Sequence, residues 1–267
     1  MHTAPYSKVW DAAGYDASFG FVTAYGAPVL DLLAARPGEK ILDIGCGTGH
    51  QAASIAASGV HVTGTDSDAA MLEVARREHP EVTFALADAQ DSAALRAASG
   101  DRVYDAVLSN AAMHWMPRQD DVVAGVAAVL RPGGRFVVEM GGVGNVTAIS
   151  AAIRGARRDI GLDADVASSW TFPTPGEQAA RLERHGFTVR LVQLVDRMTP
   201  LAPGDSGADW ARMFGAVLVD DVPDDRQAEF GTAVDEHAGA AGLAGRPDGE
   251  PGWWIDYVRL RFVAVRA

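Results

Sequence analysis

The sequence predicts an α/β protein built on a mostly parallel sheet, and three observations carry that expectation. Across residues 40–142, short runs rich in β-branched residues alternate with segments of helical periodicity, the pattern of successive β-α-β units. The first run leads into "ILDIGCGTGH", which sets Gly45, Gly47 and Gly49 at alternate positions directly after an apolar strand. The next three strands end in polar residues, Asp66, Asp88 and Asn110, so one edge of the sheet is lined with hydrogen-bonding groups.

Strands are expected at residues 40–44, 60–65, 82–87, 103–108 and 135–140. A crossover helix over 67–78 carries Ala70, Met71, Val74 and Ala75 on one face, and another over 120–130 buries Val122, Val123, Val126 and Val129 before "RPGG" stops it. Beyond Gly142 the pattern loosens. A helix over 145–160 aligns Ile149, Ala152, Ile153, Ala156 and Ile160 in one apolar stripe, with Arg157 at its flank and Arg154 and Arg158 turned away. A Pro-rich bend, "WTFPTPGE", precedes a further helix and strand. An irregular stretch over 199–254 then leads to a terminal strand over 256–265.

The expected organisation is one domain over 1–267. Residues 1–36 form a helical lid whose Trp10, Tyr15, Phe19, Val22 and Tyr25 need burial, and 37–144 form the ligand-binding core. Residues 145–174 and 199–254 are insertions that cap the carboxyl ends of the strands, and 175–198 with 255–267 complete the sheet.

The net charge of -12 argues against a nucleic-acid partner, because phosphate binding depends on clustered Lys and Arg. No segment approaches the ~20 apolar residues that span a bilayer, so a soluble chain with no membrane partner is expected. Cys46 is the only cysteine, which excludes an intrachain disulfide and a multi-cysteine metal site and fits a reducing cytoplasm. No metal is expected, and the chain is read as a monomer or homodimer.

The spacing of the glycines identifies the ligand. A dinucleotide turn, Gly-x-Gly-x-x-Gly, would place its third glycine at position 50, where the chain has His50. Asp43, just before the turn, would also repel a pyrophosphate. An adenosyl group without pyrophosphate fits better. The glycines admit it against the backbone, Asp66 accepts two ribose hydroxyls, Asp88 faces the adenine amino group, and Asp43 lies near an amino-acid ammonium. Cys46, Ser67, Met71, Ala89 and Asn110 complete the candidate cofactor set.

Taken in order, "ILDIGCGTGH", "VTGTDSDAAML", "FALADAQ", "YDAVLSNAAMHWM" and "VLRPGGRFVVE" resemble the five core motifs of the class I S-adenosylmethionine-dependent methyltransferases. The resemblance implies a seven-stranded, mostly parallel Rossmann-like sheet of order 3-2-1-4-5-7-6, with helices on both faces and the terminal strand antiparallel between its neighbours. It implies S-adenosyl-L-methionine as cofactor and S-adenosyl-L-homocysteine as product. It also implies that Asp66, Asp88 and the Gly45–Gly49 backbone hold the cofactor, and that the N-terminal segment folds over it with Tyr15 near the methionyl end.

Methyl transfer from a sulfonium is an in-line displacement, so the protein mainly positions the acceptor and excludes water. His114, just beyond the fourth strand in "SNAAMHW", is the candidate catalytic residue, since an imidazole titrates near ~6.5 and is able to take a proton. Candidate acceptor-binding residues are Trp115, Glu139, Asn145, Arg157, Trp170 and Phe214; each also has a structural reading, as packing, ion pair, helix cap or solvated face.

Among family members the chain is similar by motif to the trans-aconitate methyltransferases, which esterify a small carboxylate. Those enzymes have Gln where this chain has His114, and the departure moves the expectation toward acceptors that lose a proton. The predicted function is methylation of a small molecule at oxygen, nitrogen, carbon or carboxylate, in bacterial specialised metabolism as suggested by an Ala-rich, high-GC composition. Three alternatives stand beside it. One is a protein that binds S-adenosylmethionine as a sensor or for a non-methylating reaction such as cyclisation; the others are an NAD-dependent oxidoreductase and a protein or RNA methyltransferase.

Overall fold

The computed structural model describes residues 27–100, 103–245, 249 and 251–267. In chain order they form α1 (Ala27–Leu33), β1 (Lys40–Ile44), α2 (His50–Ala56), β2 (His61–Asp66), α3 (Ala69–Glu78), β3 (Thr83–Leu86), α4 (Ser92–Ser99) and β4 (Tyr104–Asn110). A 3-10 turn (Met113–Trp115), α5 (Gln119–Val129), β5 (Leu130–Gly141), α6 (Thr147–Asp159), α7 (Pro175–Arg184), β6 (Phe187–Pro200), α8 (Gly207–Phe214), α9 (Gln227–Ala240) and β7 (Trp254–Arg266) follow. Of the expected N-terminal lid over 1–36, residues 1–26 with Tyr15 lie outside the described residues, and α1 packs through Val29 and Leu33 on the sheet.

The seven strands form one sheet of order β3-β2-β1-β4-β5-β7-β6, mostly parallel with an antiparallel hairpin, as the resemblance implied. The parallel registers Asp43↔Gly64, Asp43↔Leu108 and Asn110↔Glu139 bring the carboxyl ends of β1, β2, β4 and β5 to one edge. Strand periodicity sorts the core onto two faces. Leu42, Val107, Phe136 and Val138 pack with Leu95 of α4, Val122 and Val126 of α5 and Leu182 of α7. Ile41, Leu108 and Val137 pack on the other face with Leu33 of α1, Ile55 of α2 and Leu72 of α3. Phe136 meets Phe262 edge-on at 5.1 Å and lies 6.1 Å from Phe187, which ties β5, β7 and β6 together.

Two local expectations change. "RPGG" does not separate helix from strand: α5 ends at Val129, Leu130 already pairs with Tyr104, and the ladder resumes at Ala106↔Arg135, so residues 131–134 bulge out of β5. On α3 the buried face is Met71, Leu72 and Ala75, because Asp68 caps the helix and sets Ala70 toward solvent.

The described residues divide into two compact units, 27–143 with 171–195 and 260–267, and 144–170 with 196–259. In the second, the apolar stripe of α6 is buried as expected, Trp210 donates to the Tyr257 hydroxyl at 2.7 Å, and its ring lies 5.4 Å from Phe214 and 6.1 Å from Trp170. Arg154 is not turned away; it donates to the carbonyls of Ala164 and Val166. Asn145 does not cap α6, since its Oδ1 accepts from Val258 N–H at 2.8 Å. The capping carboxylate is Asp256, which accepts from Ala148 N–H at 2.6 Å and Ile149 N–H at 3.3 Å. Losing that cap in Asp256→Ala should cost about 1–2 kcal/mol, measured as a lower urea midpoint at unchanged slope.

Candidate functional site

The glycine turn after β1 keeps its backbone donors for itself. Gly45 and Cys46 donate to Thr65 O at 2.8 and 3.1 Å, Gly47 donates to Asp66 Oδ2 at 2.9 Å, and Gly49 donates to Cys46 O at 3.0 Å. A phosphate cradle works the opposite way, with its N–H groups aimed outward at the anion. All three glycines are required by geometry, Gly49 because at φ +85 an added Cβ would lie 2.6 Å from Phe84 Cζ. At Gly45, with φ +72, a Cβ would lie 2.2 Å from the Cβ of Ala112. Gly47 has φ +54, and a Cβ there would meet no described atom within 4 Å, so the turn presents bare backbone on that side.

Acidic side chains surround this turn. Asp43 is fully buried, and its Oδ2 has no hydrogen-bond partner among the described residues. Burial, and then the charge of Asp66, push its carboxyl up to about 7. An ammonium group fits this position, since it would complete the orphaned oxygen with a charge-assisted bond. Asp66 accepts from Gly47 N–H and Asp68 N–H, both at 2.9 Å, and is raised by burial against the lowering effect of those bonds.

Asp88 is half-exposed at the end of the next strand. Its Oδ1 accepts from Gln90 N–H at 2.9 Å and Gln90 Nε2 at 3.2 Å, and Arg118 stands 3.7 Å from Oδ2. Asn110 ends β4 half-buried, Met71 is buried on α3 and Ser67 is exposed in the turn before that helix. Cys46 is half-buried, with its thiol pushed well up by burial. The side chain of Ala89 packs into the core beneath the sheet edge.

His114 is buried in the 3-10 turn, where its Nδ1 accepts from Gly141 N–H at 3.3 Å and its carbonyl accepts from Thr171 N–H at 2.9 Å. An imidazole nitrogen that accepts carries no proton, so the neutral ring is protonated at Nε2. Trp115 and Phe172 tilt against it at 5.6 and 5.9 Å. Buried Gln119 donates to Met113 O at 3.1 Å and fixes the turn from below.

Glu139 is buried and paired with Arg261, which makes it a link between β5 and β7. Arg157 is corrected as an acceptor-binding residue. It is fully buried, with Nε on Asp163 O and its two terminal nitrogens on Leu218 O and the Asp221 carboxylate, so four of its five N–H donors are engaged inside the fold. Asn145, Trp170 and Phe214 lie with Arg157 in the second unit, where the contacts described above hold them. Sequence reasoning missed Ala112, Gln90, Arg118, Gly141, Gln119 and Phe172. Only Ala112, inside "SNAAMHW", carried a usable signal: a small residue where a turn packs on a glycine.

Comparison with known proteins bears on the fold and the family. Residues 41–134 match a methyltransferase domain. An uncharacterized methyltransferase of Schizosaccharomyces pombe is 29% identical over 265 residues, 96% of this chain and 97% of that protein. A putative methyltransferase of Bacillus halodurans shares the fold at a TM-score of 0.60 with 17% identity, covering 90% of this chain and 97% of that one. In fold, glycine turn and matched domain the chain is similar to the S-adenosylmethionine-dependent methyltransferases.

Within that class the chain is similar to the trans-aconitate 2-methyltransferases. The enzyme of Delftia acidovorans is 32% identical over 136 residues, about half of each chain (49% and 48%).

Asp66→Ala should weaken S-adenosylmethionine binding by roughly 1–3 kcal/mol, because it removes a charged acceptor and also strands the Gly47 N–H; calorimetry measures it, and unchanged affinity would remove Asp66 from the site. Asp43 gives a signed pH effect. Its folded pKa is raised above its unfolded value, so the folded state holds the extra proton between about 4 and about 7. Its contribution to ligand-free stability should therefore fall as pH rises through that window, while cofactor affinity should rise as the carboxyl ionises. Both slopes should flatten in Asp43→Asn, followed by thermal melts and titrations at stepped pH.

Proposed function

We propose that this methyltransferase acts on a small-molecule carboxylate, and the observation that carries the proposal is the hydrogen bond that His114 Nδ1 accepts from Gly141 N–H. A ring whose Nδ1 is engaged by Gly141 N–H is a donor at its other nitrogen, the role an amide N–H of Gln would also fill. A carboxylate acceptor has no proton to lose and needs no base. The similarity to enzymes named trans-aconitate 2-methyltransferase supports the same class.

When bound, S-adenosylmethionine supplies an electrophilic methyl group on a sulfonium. The residues around it divide the remaining work. Asp43 meets the ammonium, Asp66 the ribose hydroxyls and Asp88 the adenine amino group, with the Gly45–Gly49 backbone against the cofactor and Cys46, Ser67, Met71, Ala89 and Asn110 at its margin. His114 donates from Nε2 to the acceptor oxygen that is not attacking and so orients the other toward the methyl. Trp115 and Phe172 pack beside the ring and keep water from it. The small-molecule acceptor, the exclusion of nucleic-acid partners by the acidic charge, and a cytoplasmic bacterial setting in specialised metabolism complete the reading.

The test is an acceptor screen by mass spectrometry over small carboxylic acids, phenols and amines, repeated with two variants. If His114 is a donor, His114→Gln should keep kcat/KM within about tenfold, and His114→Ala should lose about 10- to 100-fold on the cost of one charge-assisted hydrogen bond. Equal collapse of both variants, with phenols or amines the only acceptors methylated, would make His114 a base and overturn the carboxylate reading.

A further inference from the structure

On the surface beside the glycine turn, three side chains with metal-binding groups converge. His50 opens α2 directly after Gly49, while Glu78 and His79 close α3. One ligand atom from each lies within 4.8 Å of the others. The two rings stand edge to face at 5.0 Å, with His50 Nδ1 3.1 Å from His79 Nε2. Two imidazole nitrogens on one tetrahedral zinc, each about 2.0–2.1 Å from it, sit about 3.3–3.4 Å apart. The pair therefore needs to open by only a few tenths of an ångström.

The far nitrogen of His79 also faces a carboxylate outside the ligand set. His50 Nε2 lies 4.0 Å from Glu78 Oε2, and His79 Nδ1 lies 4.0 Å from Glu81 Oε1. Metal-bound histidines are commonly oriented by an acceptor on the second ring nitrogen. Without metal, one proton is shared across the 3.1 Å contact. On metal entry it moves within its own ring to the outer nitrogen, so both inner lone pairs become available and no proton is lost.

We propose that His50 Nδ1, His79 Nε2 and a carboxylate oxygen of Glu78 form a binding site for a borderline divalent metal ion of the zinc class, with Glu81 orienting His79. Two imidazoles and one carboxylate select such ions over magnesium and calcium, which prefer all-oxygen sites. The bound ion fastens the start of α2 to the end of α3, on either side of the strand that leads to Asp66.

The test is calorimetry of zinc chloride into tag-free protein stripped of metal with a chelator, with a thermal melt alongside. One-to-one binding that millimolar magnesium does not displace, with a zinc-dependent rise in Tm, is expected. His50→Ala and His79→Gln should each weaken binding about tenfold or more and abolish the rise, with far-ultraviolet circular dichroism unchanged. Absence of zinc binding by the unaltered protein, or affinity unchanged in both variants, would overturn the site. Adenosylmethionine titrated into the same samples keeps this outcome separate from the cofactor reading.

Discussion

The site is organised around the carboxylate of Asp66. One oxygen accepts from the glycine turn at Gly47 and the other from the first turn of the next connection at Asp68. A single side chain thus holds two backbone segments that come from different strands, and it does so from a position where burial already disfavours its charge. A partly buried carboxylate with two backbone donors is stable; either donor without the carboxylate is an unsatisfied polar group costing about 1–3 kcal/mol. The position of the turn, and with it the placement of Asp43 beneath, follows from that balance.

The second constraint is the fit of the β4 connection into the glycine turn. Ala111 adopts φ +55, a conformation that costs a side-chain-bearing residue about 1–3 kcal/mol. The strain brings the Cβ of Ala112 to where a Cβ on Gly45 would be. The same connection carries His114, which is held by Gly141 on one side and by the Gln119 bond to Met113 on the other. Backbone strain in one residue therefore sets the distance between the candidate cofactor turn and the candidate acceptor residue.

The strands, crossover helices and sheet edge were legible because each signal was local: β-branched runs, helical stripes, and Asp or Asn at strand ends. Strand order was not readable from periodicity and came only with the family resemblance. The bulge at residues 131–134 escaped because Pro and Gly mark a turn equally well inside or outside a ladder. Arg157 was misread for a related reason. Its place beside the α6 stripe was visible, but its partner Asp221 is far along the chain in an irregular stretch. His114 stood out as a candidate by its place after β4, whereas its hydrogen bonding did not, because that depends on a backbone N–H contributed by β5.

The closed hydrogen bonding of the glycine turn has a thermodynamic consequence. Because Gly45, Cys46, Gly47 and Gly49 already have acceptors within the fold, the turn has its final shape before any ligand arrives. Ordering flexible segments is among the main free-energy costs of association, and here the turn contributes little of it. These four amides do not point outward at a phosphate, as those of a nucleotide-binding cradle do. With donors turned inward at these four positions, the turn is left to meet a ligand through its shape and its neighbouring carboxylates.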